Sequence, residues 1–131
     1  MVRQQEALYV NEYLRTFHPT ALQWKRTRLG PLPQKELSQL YKVTLRYVDS
    51  IFLEDDVVHL LEAKLREQLR GIAQLELYRK LFRETPEFME LWDKKLKALL
   101  LVPNEKVEVK LMCAEKNIDY VVYHPDWLTL V

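Results

Sequence analysis

Two charged residues at the end of a strand that is apolar on both faces constrain this chain more than any other feature. Residues 43–53 and 57–64 are rich in β-branched and apolar side chains, and Glu54, Asp55 and Asp56 between them supply a polar turn. That pattern predicts a β-hairpin. Along its second arm Val58, Leu60, Glu62 and Lys64 share one face, and Val57, His59, Leu61 and Ala63 share the other. Both faces are mainly apolar, so the strand is expected to be covered on both sides. Glu62 and Lys64 then end a buried strand, where uncompensated charge is costly. If Asp55 and Asp56 form a two-residue turn, facing residue numbers sum to 111 and Asp49 lies opposite Glu62. Facing Cβ atoms are about 4.5–5.5 Å apart, and like charges there repel. The lack of Gly or Asn in the turn leaves a slipped or bulged register open. A cation between Asp49 and Glu62, with Lys64 beside it, resolves the conflict. A Glu–Lys pair at a solvated strand end, beside an unrelated Asp, is the plainer alternative.

The segment that follows reads as a helix over 67–82. Gly71, Gln74, Leu77, Tyr78 and Leu81 fall on one stripe at three- and four-residue spacing, while Glu76, Arg79 and Lys80 make a solvated face. Tyr78 there suits an ordinary core aromatic. Gln74 does not, because a buried amide needs partners.

On Asp49, then Glu62-Ala63-Lys64 thirteen residues on, then Gln74-Leu75-Glu76-Leu77-Tyr78, the chain resembles the PD-(D/E)XK nuclease superfamily. The Gln and Tyr four apart match the QxxxY helix motif of its RecB-like and lambda-exonuclease-like branch. The motifs cover residues 40–82, and the order of elements covers most of the chain. Val48 stands where that superfamily often carries Pro. The resemblance implies a metal-dependent deoxyribonuclease of recombination, repair or DNA processing, with endonuclease and exonuclease both open. It implies that Asp49, Glu62 and the backbone carbonyl of Ala63 hold Mg²⁺ or Mn²⁺, whose preference is for hard oxygen ligands. Lys64 would orient or deprotonate the attacking water, and Gln74 and Tyr78 would brace the site and contact substrate. A first-helix glutamate often assists in that family. Glu6 fits the role, although a first-turn Glu is also what the helix dipole favours. The alternative is a catalytically silent nucleic-acid-binding or assembly subunit on the same fold. Such subunits usually lose the acidic pair or the lysine, and both are present here.

A net charge of +1 requires a DNA-binding chain to concentrate its cations. The candidates are Lys25, Arg26 and Arg28 beside Trp24, and Arg66 and Arg70 near Lys64. Lys94, Lys95 and Lys97 read as a solvated helix surface. His59 reads as a packing residue, and His18 and His124 show no neighbours that suggest a triad or a zinc site. Cys113 alone forms no intrachain disulfide, which points to a reducing cytoplasm. It also excludes the four-cysteine iron–sulfur cluster of some relatives in the resembled branch. No apolar run suits a signal core or a membrane span.

The chain is expected to be a single domain, 1–131, with 48% hydrophobic residues to fill its core. Residues 3–17 read as an opening helix whose apolar face is Val10, Tyr13, Leu14 and Phe17, with Glu6 on that face and Glu12 on the other. Residues 21–28 read as a strand. Residues 34–41 read as a short helix or an irregular approach to the hairpin. Pro86 opens a short helical piece, 97–102 a buried strand, 104–116 a helix marked by Val107, Leu111 and Ala114, and 118–123 a last strand. This order predicts an α/β fold with a mixed central sheet flanked by helices. It matches the restriction-endonuclease-like αβββαβ core with a short C-terminal α/β extension. With no segment left over for a separate recognition domain, selectivity for DNA is expected from a homodimer or a partner protein.

Overall fold

The central hairpin forms in the register its turn predicts. A computed structural model describes residues 2–31 and 46–129. In it β2 (Arg46–Glu54) and β3 (Val57–Ala63) run antiparallel, with facing pairs from Glu54↔Val57 to Ser50↔Leu61. Asp55 and Asp56 take φ values of 52° and 65°, the left-handed pair that a type I′ turn needs. Aspartate tolerates that region better than most side chains, so the turn closes without Gly or Asn. Lys94 pairs with the Asp56 carboxylate at its tip.

β1 (Leu22–Leu29) adds antiparallel to β2, while β4 (Lys95–Val102) and β5 (Ile118–Val122) extend the sheet in parallel from β3. The strand order is β1-β2-β3-β4-β5. Parallel neighbours need a crossover. α2 (Gln68–Phe82) and a 3₁₀ turn (Pro86–Leu91) join β3 to β4, and α3 (Val107–Glu115) joins β4 to β5. Both helices lie on one face of the sheet, and α1 (Val2–Phe17) covers the other. β3 is therefore the middle strand with helices over both faces, which is why it reads apolar on both. Leu61 and Ala63 lie under Tyr9 and Tyr13 of α1, whereas Val58 and Leu60 lie under Ile72 and Leu75 of α2. Among the described residues the fold is α/β with a mixed five-stranded sheet, in the element order expected.

Some helix faces differ from their apolar spacing. On α1 the buried stripe is Tyr9, Val10, Tyr13 and Leu14, and Phe17 is 54% exposed. On α2 it is Gln68, Gly71, Ile72, Leu75, Tyr78 and Phe82. Leu77 is exposed, and Arg79 is half-buried with its guanidinium donating to the carbonyls of Lys116 and Asn117. On α3, Val107, Leu111 and Ala114 point outward while Val109 and Cys113 are buried. The cause is common to all three. Apolar spacing locates a stripe, but contact with the sheet and with the neighbouring helix selects which stripe is covered. Lys95 and Lys97 belong to β4 and not to a helix surface. The expectations for 34–41 and for 43–45 lie outside the described residues. No helix among the described residues is long and apolar enough to cross a membrane.

One polar knot joins the start of α2 to the far edge of the sheet. Gln68, 2% exposed, accepts the Tyr120 hydroxyl proton at 2.7 Å and donates to the Asn104 carbonyl at 2.9 Å. The same hydroxyl accepts the Lys106 N–H at 2.9 Å, satisfying a donor at the entry to α3. Tyr120→Phe would leave an amide oxygen and a backbone N–H short of partners, which costs about 1–2 kcal/mol. Urea denaturation should show a lower midpoint at unchanged m-value. An unmoved midpoint would mean that water substitutes for the hydroxyl.

Candidate active site

The Asp49 and Glu62 carboxylates are each held by a backbone N–H of the facing strand. The Asp49 N–H donates to Glu62 Oε1 at 3.2 Å, and the Ala63 N–H donates to Asp49 Oδ2 at 2.9 Å. Two carboxylates thus meet at the end of the hairpin remote from the Asp55-Asp56 turn. Glu62 is only 4% exposed. Burial pushes its carboxyl up to about 8 and the Asp49 charge pushes the same way, while Lys64 and the Asp49 N–H pull it back. Lys64 Nζ stands 3.6 Å from Glu62 Oε2. The root of Lys64 is pinned, because its N–H donates to the Leu101 carbonyl at 2.9 Å.

Helices supply the walls. From α1, Glu6 Oε2 accepts the Leu65 N–H at 3.3 Å and so grips the turn that follows Lys64. From α2, the Tyr78 hydroxyl donates to the Tyr47 carbonyl at 3.0 Å and fixes β2 near Asp49. Burial, then the Glu62 and Asp49 charges, raise the Tyr78 pKa and keep its hydroxyl neutral. Gln74 Oε1 is buried with no hydrogen-bond partner among the described residues. A buried acceptor left open is uncommon and marks a place where a ligand or water belongs.

These groups enclose a pocket of about 360 Å³. Every residue assigned a catalytic role from sequence lines it: Asp49, Glu62, Lys64, Gln74, Tyr78 and Glu6. So do Lys25 and Arg26 from the proposed DNA-binding group. Arg28 does not; its guanidinium pairs with Glu87 at 2.7 Å. Arg66 and Arg70 are exposed outside the lining, and Arg70 pairs with Glu67 at 3.2 Å. Among the lining residues that carry no motif signal and were not anticipated are Arg46 and Tyr47. They precede Asp49 on an ordinary strand pattern, and only their place on β2 could have pointed to them.

Arg26 occupies an unusual backbone state for a strand residue, with φ of 37°. The β1–β2 ladder pairs Lys25 with Ser50 and Thr27 with Val48, and it passes over Arg26 and Asp49. Left-handed backbone at a non-glycine residue costs roughly 1–2 kcal/mol, and such strain gathers at functional sites. Here the break coincides with the Asp49 N–H turning to Glu62. It also aims the Arg26 guanidinium over the Tyr47 ring, 5.0 Å from its centroid.

The histidines lie elsewhere. His59 stacks on Phe52 with centroids 4.4 Å apart, and burial, followed by His18 and Lys97, lowers its pKa. That agrees with a packing role. His18 does have partners that the sequence concealed. Its Nδ1 meets Glu54 Oε1 at 2.8 Å and its Nε2 meets the Tyr13 hydroxyl at 3.3 Å. This group sits at the turn end of β2, five residues and about 16 Å from Asp49 along the strand. Glu12, on the other side of α1, accepts from the Tyr123 hydroxyl and from Trp127 Nε1.

No family model matches the sequence, and no curated protein matches it. Solved structures do. A repair endonuclease from Pyrococcus abyssi is similar over 94% of this chain and 47% of its own length, at 15% identity and a TM-score of 0.56. EndoMS in a dsDNA complex is similar over 96% of this chain and 46% of its own, at 17% identity and a TM-score of 0.58. Apo EndoMS gives 91% and 46%, 16% identity and 0.54. The chain spans about half the length of these neighbours. It has the fold of their matching portion, a mixed sheet between helices of the endonuclease type.

Proposed function

We propose that the protein is a divalent-metal-dependent deoxyribonuclease of the PD-(D/E)XK type, on its RecB-like branch, acting in DNA repair or recombination. The observation that carries this reading is the convergence of Asp49, Glu62 and Lys64 with Lys25, Arg26 and Arg46 in one pocket. Acidic groups at the base and cations at the wall suit a metal ion and a phosphodiester together. The similarity to repair endonucleases, one of them in a dsDNA complex, supports DNA as the partner.

The donor set fits Mg²⁺ or Mn²⁺. Among the described residues there is no cluster of three or more His, Cys, Asp or Glu side chains placed to hold a metal. Asp49, Glu62 and the Ala63 carbonyl would be the protein's ligands, with the remaining positions left to water and phosphate, as is usual for Mg²⁺. Such an ion supplies Lewis acidity toward a phosphate oxygen and lowers the pKa of water. Lys64 keeps Glu62 toward its ionised form and offsets charge that develops on the phosphate. Lys25, Arg26 and Arg46 hold neighbouring phosphates, and Gln74 Oε1 is available to accept a hydrogen bond from water or substrate. Glu6 and Tyr78 keep the turn after Lys64 and β2 in place. Selectivity among DNA structures is assigned to surfaces outside the pocket, on a second copy or a partner protein. A silent binding subunit would have no need of the intact carboxylate pair and lysine.

The test is cleavage of linear, circular, single-stranded and branched DNA with Mg²⁺, Mn²⁺ or EDTA, comparing wild type with Asp49→Asn. Cutting that needs the metal and falls at least about 10³-fold in the variant is expected. DNA binding without cutting under every condition would leave the silent-subunit reading standing instead.

A further inference from the structure

We propose that Gly71 is the positioning residue for Lys64; this rests on the nuclease reading of the pocket. Gly71 is buried within the regular part of α2, where alanine would make the more stable helix. No turn calls for glycine there. Space does. A Cβ at position 71 would lie 2.5 Å from Leu100 Cδ1 and 3.0 Å from Lys64 Cγ, whereas carbon atoms rest about 3.5–4.0 Å apart.

The second of these contacts bears on the chemistry. Lys64 leaves the end of β3 with its backbone N–H held by Leu101, so the root of the side chain cannot retreat. The stem then crosses the bare backbone of α2 at Gly71, and Nζ comes to 3.6 Å from Glu62 Oε2. With the root pinned, the few tenths of an ångström that Cγ has to give are passed toward the tip. Lys64 is the only stem among the three atoms that crowd position 71 whose far end lines the pocket, since the others belong to Leu100. Gln74, one turn further along the same side of α2, lines that pocket as well. Gly71 is thus a gap in the helix through which the ammonium is delivered to the carboxylates.

A purely structural role, room for Leu100 alone, makes a different prediction. Leu100→Ala removes the 2.5 Å contact and leaves the Lys64 contact in place; Leu100→Val serves if the Ala protein melts too low. Under the positioning role, G71A/L100A melts close to L100A yet has a kcat at least about 10-fold lower, with KM within about threefold. Adding G71A to K64A costs nothing more. Recovery of the L100A kcat in the double variant would overturn the proposal. A readout independent of cleavage separates it from the nuclease reading. The ¹³C resonance of the Lys64 ε-methylene, assigned by its loss in K64R, should move between L100A and G71A/L100A. A moved resonance in a protein that cuts no DNA would sink the nuclease reading alone, and an unmoved resonance would sink the positioning role.

Discussion

Glu62→Gln should make the metal-free protein more stable at neutral pH and the enzyme inactive. The carboxyl is almost fully buried against Asp49, and its pKa lies near 8 against an ordinary value of 4.5. In the unfolded chain it ionises in the ordinary range, so the native state holds a proton that the unfolded state has released. The preference for the native state is complete below about pH 4.5 and is lost progressively as pH rises toward 8. Wild type in EDTA should therefore weaken across that window, and Glu62→Gln, which cannot ionise, should not. At 1.36 kcal/mol per unit the shift sets an upper bound, and relaxation around a buried acid reduces it to on the order of 2–4 kcal/mol. Mg²⁺ should restore the wild type at pH 8, by ~2.7 kcal/mol at a hundredfold excess over Kd, and leave the variant unchanged. Thermal melts from pH 5 to 9, with EDTA and with Mg²⁺, measure all of this. Parallel pH profiles for the two proteins would show that Glu62 is ionised and well compensated without metal.

The second large effect is at Lys64. Lys64→Ala should retain the fold and lose about 10²–10⁴ in kcat, the range for a group that handles a proton or offsets charge in the transition state. Its ammonium also counters the desolvation of Glu62, so its removal drives that carboxyl further toward the protonated form. Metal affinity should then fall more at pH 7 than at pH 9. Lys64→Arg keeps the charge but is planar and longer, in a slot bounded by Gly71, and should recover little. Single-turnover cleavage with titrated Mg²⁺ separates the rate effect from the affinity effect. An alanine variant within threefold of wild type at saturating metal would remove Lys64 from the chemistry.

Much of this site was legible because it is written locally. A two-residue turn at Asp55-Asp56, taken with alternation along 57–63, gives the observed register, and continuing it one pair past Ser50↔Leu61 brings Asp49 to Glu62. Helical spacing put Gln74 and Tyr78 on the side of α2 that meets the pocket. The structure places Glu6, selected because it shares a face with Val10, beside the turn after Lys64. What was missed depends on partners distant in sequence. His18 and Glu54 are 36 residues apart, and nothing near either announces the 2.8 Å contact. Arg28 belongs to the same basic run as Lys25 and Arg26, yet Glu87 captures it. The outward turn of Val107 and Leu111 follows from where α3 meets the sheet, which apolar spacing does not record.

Sequence alone determined the order of elements among the described residues, the hairpin register once its turn is taken as two residues, and the set of acidic and basic groups available to a site, since each follows from periods of two and 3.6 residues and from turn chemistry. Only the tertiary structure decided which cations face the carboxylates, how far Glu62 is removed from water, and that a missing side chain at Gly71 leaves a path for Lys64. Those properties depend on distances between separate elements. Packing sets them, because a buried charge and a 3.0 Å gap exist only once two surfaces have met.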